Sequence, residues 1–593
     1  MFLATTAIQE FWNLENKLLL LGPWCLLGEK NKKLLAGKDY IMVPSPWKPA
    51  SRIKEAADYT LSVYEELLPR LSEALNSINK VSYPVKYWRI LIGPWLLHFL
   101  GVFYERYKRI EYAMRIFPDC YTYTISEPLD NVATLNTLDF LNYKMNDDFY
   151  NLKLFSFIIN KLYPERAKQI DGSSISKTDN FRGTYSWKGK WLENFLKAIN
   201  VFCKSSIILS DMYHLNKNDM LSLTLKSGIN TANFRHFTPV DYRYPMHDFS
   251  SNLRGKLINH KEVSDQFLSL FYNILPHAIP TCYIENYEFY RKEIRNSVPV
   301  KVVGSAVGWV FNERFKFFAA EAASKGAQII EFQHGGGYGL SSVNITEELS
   351  LDKDLFYTWG WTSEDNSKAR PLPSPHLSKL EDKYHLELDN LLFVGMNIPR
   401  YFIRFSTDLF PDDMPKYFED KKAFLSCLQE SIKEKLLYRP FPYDYGWQEK
   451  EFIRQEVPNI KFVDKEKLVE LKKKVKLVVI DHQHTSFLEA LIINVPCILY
   501  WDHDVYRVRS EVEPYFEELR RVSVLFKDPL SAAKQVNKIF DSPNEWWLNR
   551  EVQDARLKFC KRFAYARNDW VDLWAEEFKR VRERNEDIIL HVV

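Results

Sequence analysis

The chain has 593 residues, more than one hydrophobic core can organise, so two or three domains are expected. Its 80 basic and 77 acidic residues leave a net charge of +3, which excludes a dedicated nucleic-acid binder. Seven scattered cysteines with no CxxC pair exclude a disulfide framework and a zinc knuckle, and fit a reducing compartment.

Aromatic residues make up 15% of the chain, a stock that suits a thick core or stacking surfaces for sugars and bases. The amino terminus lacks a basic region ahead of its apolar residues, so it reads poorly as a signal peptide. Residues 53–78 carry apolar side chains at helical spacing and predict an amphipathic helix. The apolar stretch 90–104 falls short of the roughly twenty residues that a membrane span needs, so it reads as a buried or surface-lying helix. A cytoplasmic protein is expected, with at most a peripheral contact at the inner membrane. The polar stretch 171–190 reads as an exposed loop.

From about residue 300 strands and helices alternate. Strands are expected at 300–303, 327–333 and 355–359, with a helix over 312–324 capped by Gly326. The Pro/Ser-rich stretch 370–379 reads as an interdomain crossing. A second series follows, with strands at 391–394, 475–480 and 496–500 and helices near 416–434, 464–474 and 486–493. Two such series predict an α/β protein with two doubly wound, Rossmann-like domains, a helical amino-terminal elaboration and a helical carboxyl-terminal tail. The expected divisions are 1–370, 371–545 and 546–593, the last packing back on the first domain.

Ligands in such sheets sit at the carboxyl ends of strands, and two of those ends are chemically loaded. The first is Gln333-His334-Gly335-Gly336-Gly337-Tyr338-Gly339. Clustered glycines let a ligand approach the backbone, whose N–H groups can hold phosphate, and His334 can act as general base. A tight turn with a core-bonded histidine is the structural alternative. The second is Asp481-His482-Gln483-His484-Thr485-Ser486, followed by Glu489. Thr485 and Ser486 open a helix whose free N–H groups favour an anion. Glu489 either forms a capping box or reaches a ribose hydroxyl. Asp481, His482 and His484, with Asp502-His503-Asp504, lack a recognised metal-site spacing, so no metal is expected. Arg439, at a strand end, could clamp a phosphate or lie on the surface.

The segments 87–96 (YWRILIGPWL), 308–321 (GWVFNERFKFFAAE), 333–339 (QHGGGYG), 438–447 (YRPFPYDYGW) and 481–502 (DHQHTSFLEALIINVPCILYWD) resemble a family of bacterial surface-carbohydrate transferases of similar length. The last segment is similar to the nucleotide-sugar site of GT-B glycosyltransferases. The QHG loop is similar to one in capsule and teichoic-acid polymerising enzymes and, loosely, in Kdo transferases. The Kdo-type His-Pro pair is missing here: Pro375 precedes His376 and Leu377 follows it. The resemblance implies that Thr485 and Ser486 hold donor phosphate, that Glu489 lies near the ribose, and that His334 faces the reaction centre.

These readings combine into a metal-independent GT-B glycosyltransferase building an O-antigen- or capsule-type polysaccharide. Its donor would be a CMP-, UDP-, GDP- or dTDP-linked sugar, with no resident cofactor, and its acceptor an oligosaccharide or lipid-linked hydroxyl. Gly335, Gly336, Gly337, Arg439, Asp481, His484, Thr485, Ser486 and Glu489 are the expected binding residues. His334, Glu313 and Glu127 are the expected catalytic ones. A CDP-glycerol-type polyol-phosphate transferase, a sugar-nucleotide epimerase or hydrolase, and a non-catalytic assembly protein remain as alternatives.

Overall fold

The computed structural model describes residues 1–126, 129–172, 207–212, 215–228, 249–257, 264–294, 300–363 and 367–590. Most of the stretch read as an exposed loop at 171–190 lies outside them. Among the described residues four parallel sheets organise the chain, and a single bridge joins two of them into one layer.

The first sheet contains β1 (Phe2–Ala4), β2 (Leu18–Leu20), β3 (Tyr40–Met42), β4 (Thr122–Ile125) and β5 (Ala167–Ile170). A bridge between Phe2 and Tyr121 joins β1 to the β4–β5 pair, so the order runs 3-2-1-4-5. That is a doubly wound order in a region expected to be mixed and largely helical. β1 and β2 are three residues long and wholly buried, so they show no in–out alternation. Helices α1 (Ser51–Asn79) and α2 (Val85–Ile116) follow β3 and pack on each other. α1 buries Ile53, Ala56, Val63, Leu67, Leu71, Leu75 and Ile78, the stripe that its spacing predicted. α2 runs through Gly93-Pro94 and is buried along most of its length. Gly93 is required there: a Cβ would come 2.5 Å from the Tyr64 hydroxyl, which donates to the Ser350 carbonyl. No helix among the described residues is long and apolar enough to cross a membrane.

The second sheet, β6 (Ile207–Ser210), β7 (Val302–Ser305), β8 (Gln328–Phe332), β9 (Leu355–Thr358) and β10 (Ala369–Pro371), runs in simple succession. Helix α3 (Glu313–Ser324) lies between β7 and β8, and Gly326 takes a φ of +93° just past its end. The third sheet holds β11 (Leu388–Val394), β12 (Leu436–Arg439), β13 (Lys461–Phe462), β14 (Val475–Ile480), β15 (Cys497–Tyr500) and β16 (Leu525–Phe526). Its order, 13-12-11-14-15-16, puts the topological switch between β11 and β14. Helix α4 (Met414–Cys427) follows β11, and α5 (Thr485–Ile493) follows β14.

The tail divides between the two α/β units. Helix α6 (Arg550–Phe563) packs Phe559 against Phe487 and Phe516 of the third-sheet unit. Helix α7 (Trp570–Leu590) returns to the second sheet, where Trp574 stacks on Phe332 with ring centroids 5.2 Å apart and donates to the Pro373 carbonyl.

Candidate active site

The two loaded loops meet. At the end of β8, the Gln333 side chain donates to the Gly335 carbonyl at 2.8 Å and accepts from Trp359 N and Trp361 Nε1. That folds the glycine run outward, and the Gly336 amide donates to the Thr485 hydroxyl at 3.0 Å. A Cβ on Gly336 would lie 2.9 Å from Thr485 N and 3.0 Å from Leu488 Cδ1, so only glycine fits flat on the first turn of α5. Ser342 N donates to Arg507 O and Arg509 N to Leu340 O, a second backbone seam between the units. Arg404, from the loop after β11, pairs with the buried Glu347 on the short helix Thr346–Ser350.

This geometry places the expected residues one by one. His334 sits at the seam with Nδ1 3.2 Å from the Tyr338 hydroxyl, and its ring also bonds the Ala306 carbonyl. Burial, against the pull of Glu347, holds this imidazole below its ordinary value, so it is neutral near pH 7. Gly335 and Gly337 continue the turn on either side of Gly336. Thr485 and Ser486 open α5 as read from the sequence, but the glycine run covers that helix start, and Lys472 Nζ donates to the Ser486 carbonyl. His484 stands at the N-cap without a side-chain capping bond. Burial and the neighbouring His482 and Arg404 push its imidazole down to about 3.

Glu489 forms no capping box, and both its carboxylate oxygens are engaged within the protein. One carboxylate oxygen takes His376 Nε2 at 2.7 Å and the other Lys472 Nζ at 2.6 Å. Arg439 donates to the Val463 and Glu466 carbonyls, so its guanidinium holds the β13 connection. Glu313 lies inside the amino-terminal core, paired with Lys316 at 2.8 Å and accepting from Thr137 N and the Tyr283 hydroxyl. That placement removes it from the acid–base candidates. Glu127 lies outside the described residues. Among the described residues no three His, Cys, Asp or Glu side chains group to hold a metal.

Asp481 reaches a different place. It ends β14 beside the switch point and lines a cavity of about 840 Å³. Burial opposes its charge, but Lys421 and His482 hold the carboxyl below its usual range. It accepts from Tyr417 at 2.9 Å and from Lys421 at 2.5 Å, both one helical turn apart on α4. The cavity lies over the carboxyl ends of β14, β15 and β16, and its far wall is Ser45–Ile53, the segment leaving β3 of the first sheet. Trp47, Tyr417, Tyr500, Trp501 and Tyr506 supply rings, while Lys48, Arg507 and Lys527 supply cations. Sequence reasoning missed this wall. The ends of β15 and β16 could have been found from the carboxyl-end rule, whereas Trp47 carries no local signal.

The wall is rigidly held. Arg109, fully buried on α2, grips Asp412 at 2.7 and 3.1 Å and Glu105 at 2.6 Å, and Ser45 donates to the same Asp412 at 2.8 Å. The turn Pro411–Asp413 is thereby tied to the amino-terminal unit.

Parallel doubly wound units facing each other across a carboxyl-end cavity define a GT-B-like α/β protein. Residues 1–578 match the profile of the LIC12162 family transferases, and the chain belongs to that family. It is therefore a transferase. A search of curated protein sequences returned no match. Among solved structures the chain is similar to the O-GlcNAc transferase of Thermobaculum terrenum, at 10% identity and TM-score 0.32, over 90% of this chain and 98% of that one. Trehalose 6-phosphate synthase of Burkholderia multivorans aligns at 10% identity and TM-score 0.34, over 66% and 99%. MurG of Acinetobacter baumannii aligns at 10% identity and TM-score 0.32, over 63% and 99%.

Proposed function

We propose that this transferase moves a sugar from a nucleotide-activated donor to a surface-polysaccharide acceptor, an oligosaccharide or lipid-linked hydroxyl, without a resident metal. The observation that carries the reading is the cavity of about 840 Å³ over the carboxyl ends of β14 to β16. Its size suits a nucleotide sugar, since ligand sites run from about 300 to 1,000 Å³. Rings such as Tyr506 and Trp501 suit the flat faces of base and sugar. Arg507, Lys48 and Lys527 suit the charge that builds on the nucleotide as it leaves, stabilised by groups already in place.

The test is a thermal-shift screen of the full chain against UDP-, GDP-, dTDP-, CDP- and CMP-sugars, followed by nucleotide release with and without acceptor. A ligand that binds the native state raises the melting temperature. One sugar nucleotide should stabilise the protein, and Arg507→Ala should lose that shift. Stabilisation by none of the five would refute the donor assignment. Full-rate nucleotide release without acceptor would point instead to a hydrolase or epimerase.

A further inference from the structure

The cavity has seven carboxylates in its lining, and they are not equivalent. Asp412 is gripped by Arg109. Asp481 is gripped by Lys421, and Asp420 and Asp502 share Lys416. Asp528 caps the following helix by accepting from Ser531 N, and Asp504 is exposed. Asp413 remains. Its Oδ2 accepts from the Phe410 amide at 3.0 Å, and its Oδ1 has no hydrogen-bond partner among the described residues. The neighbouring Asp412–Arg109 pair fixes the turn that carries it, so its position does not depend on a flexible stem.

Two further observations mark the same wall as a place for a hydroxyl-rich ligand. The Tyr506 hydroxyl and the Trp47 indole N–H are both buried without a hydrogen-bond partner among the described residues, and both side chains line the cavity. Trp47 and Lys48 come from the segment that leaves the first sheet, so Asp413 stands where the amino-terminal unit meets the donor-side unit.

We infer that Asp413 is the general base that activates the acceptor hydroxyl. The inference rests on the cavity being the sugar-transfer site. In the step, the Asp413 carboxylate takes the proton of the acceptor O–H while that oxygen bonds the anomeric carbon. The bond from that carbon to the phosphate oxygen breaks, its electron pair stays on the departing nucleotide, and the carboxyl later loses its proton to solvent. The surroundings suit the task. Burial pushes this carboxyl up to about 6, the Phe410 amide and the more distant Lys48 and Arg507 pull it down, and Asp412 raises it. Tyr506 faces it from the loop after β15. A base near working pH combines the right protonation state with useful driving force.

The test compares wild type with Asp413→Asn and Asp413→Glu in the full chain. It measures donor-induced thermal shift, kcat with acceptor, and the pH profile of kcat. D413N should keep the donor shift, which shows that it folds and binds, while kcat falls by roughly 10²- to 10⁴-fold. The rise of kcat on the acid side, near pH 6, should vanish in D413N, and D413E should recover part of the rate. If wild type shows no donor shift, the sugar-transfer reading and the base both fall. If wild type binds donor and D413N turns over with unchanged kcat and pH profile, the base alone falls.

Discussion

The Gly336 amide and the Thr485 hydroxyl are hydrogen-bonded at 3.0 Å across the seam between the second and third sheets. The contact joins two strand ends that are far apart in sequence and chemically conspicuous in it. It also decides what the glycine run is for: close approach of backbone to helix, with 2.9 Å from a built Cβ to Thr485 N. Gly336→Ala should push the two units apart, since a methyl inserted into a packed contact typically costs about 1–3 kcal/mol. The measurement is chemical denaturation alongside the donor-induced thermal shift. An unchanged midpoint would mean that the seam opens freely and that the helix start is available to an anion.

The ion pair beneath α5 predicts acid sensitivity. Burial opposes the Glu489 charge, but Lys472 and His376 together hold its carboxyl down to about 2, against an ordinary value of 4.5. A depressed folded value gives stability that is complete above about pH 4.5 and is lost as pH falls toward 2. Glu489→Gln should flatten that part of a stability–pH curve obtained from urea unfolding. Lys472→Met should be worse at neutral pH, because it leaves a buried carboxylate with only His376; breaking such pairs costs about 3–5 kcal/mol.

The Arg109–Asp412 pair couples core to cavity. Arg109→Met should destabilise the chain by about 3–5 kcal/mol, because Glu105 and Asp412 lose their shared buried cation. Since Asp412 lies in the turn that forms part of the cavity wall, the variant should also bind donor more weakly at a temperature where it is still folded. Titration calorimetry with the nucleotide sugar found in the screen checks the second effect. Loss of stability with full donor affinity would show that the wall does not depend on this anchor.

How much of this was legible in the sequence follows the length of each element and the reach of each contact. β8 and β14 were readable because each is a run of at least five mostly buried residues ending in unusual chemistry. α1 was readable from its apolar stripe, and Gly326 from its place after a helix. β1, β2 and β3 were not, because three residues show no period. Without them the first sheet, and with it the Trp47 wall, stayed hidden. Glu489, Arg439 and Glu313 show a different limit. Residue type and spacing suggested ligand contacts, but their partners Lys472, Val463 and Lys316 lie 17, 24 and 3 positions away, and only folding decides that these take up the polar groups.

His484 supplies a last prediction, opposite in chemistry to Glu489 but alike in sign. Burial, His482 and Arg404 push its imidazole from 6.5 down to about 3, so the folded protein keeps it neutral where the unfolded chain would protonate it. Between those values the unfolded state binds more protons, and stability therefore rises with pH. The contribution is complete above about pH 6.5 and is lost as pH falls toward 3. His484→Gln, which cannot take up a proton in either state, should show a shallower loss of stability over that window in urea titrations at stepped pH. Because His484 sits at the N-cap of α5, the variant also reports on the seam. If acid sensitivity is the same with and without the imidazole, His484 is solvated rather than shielded between the two units.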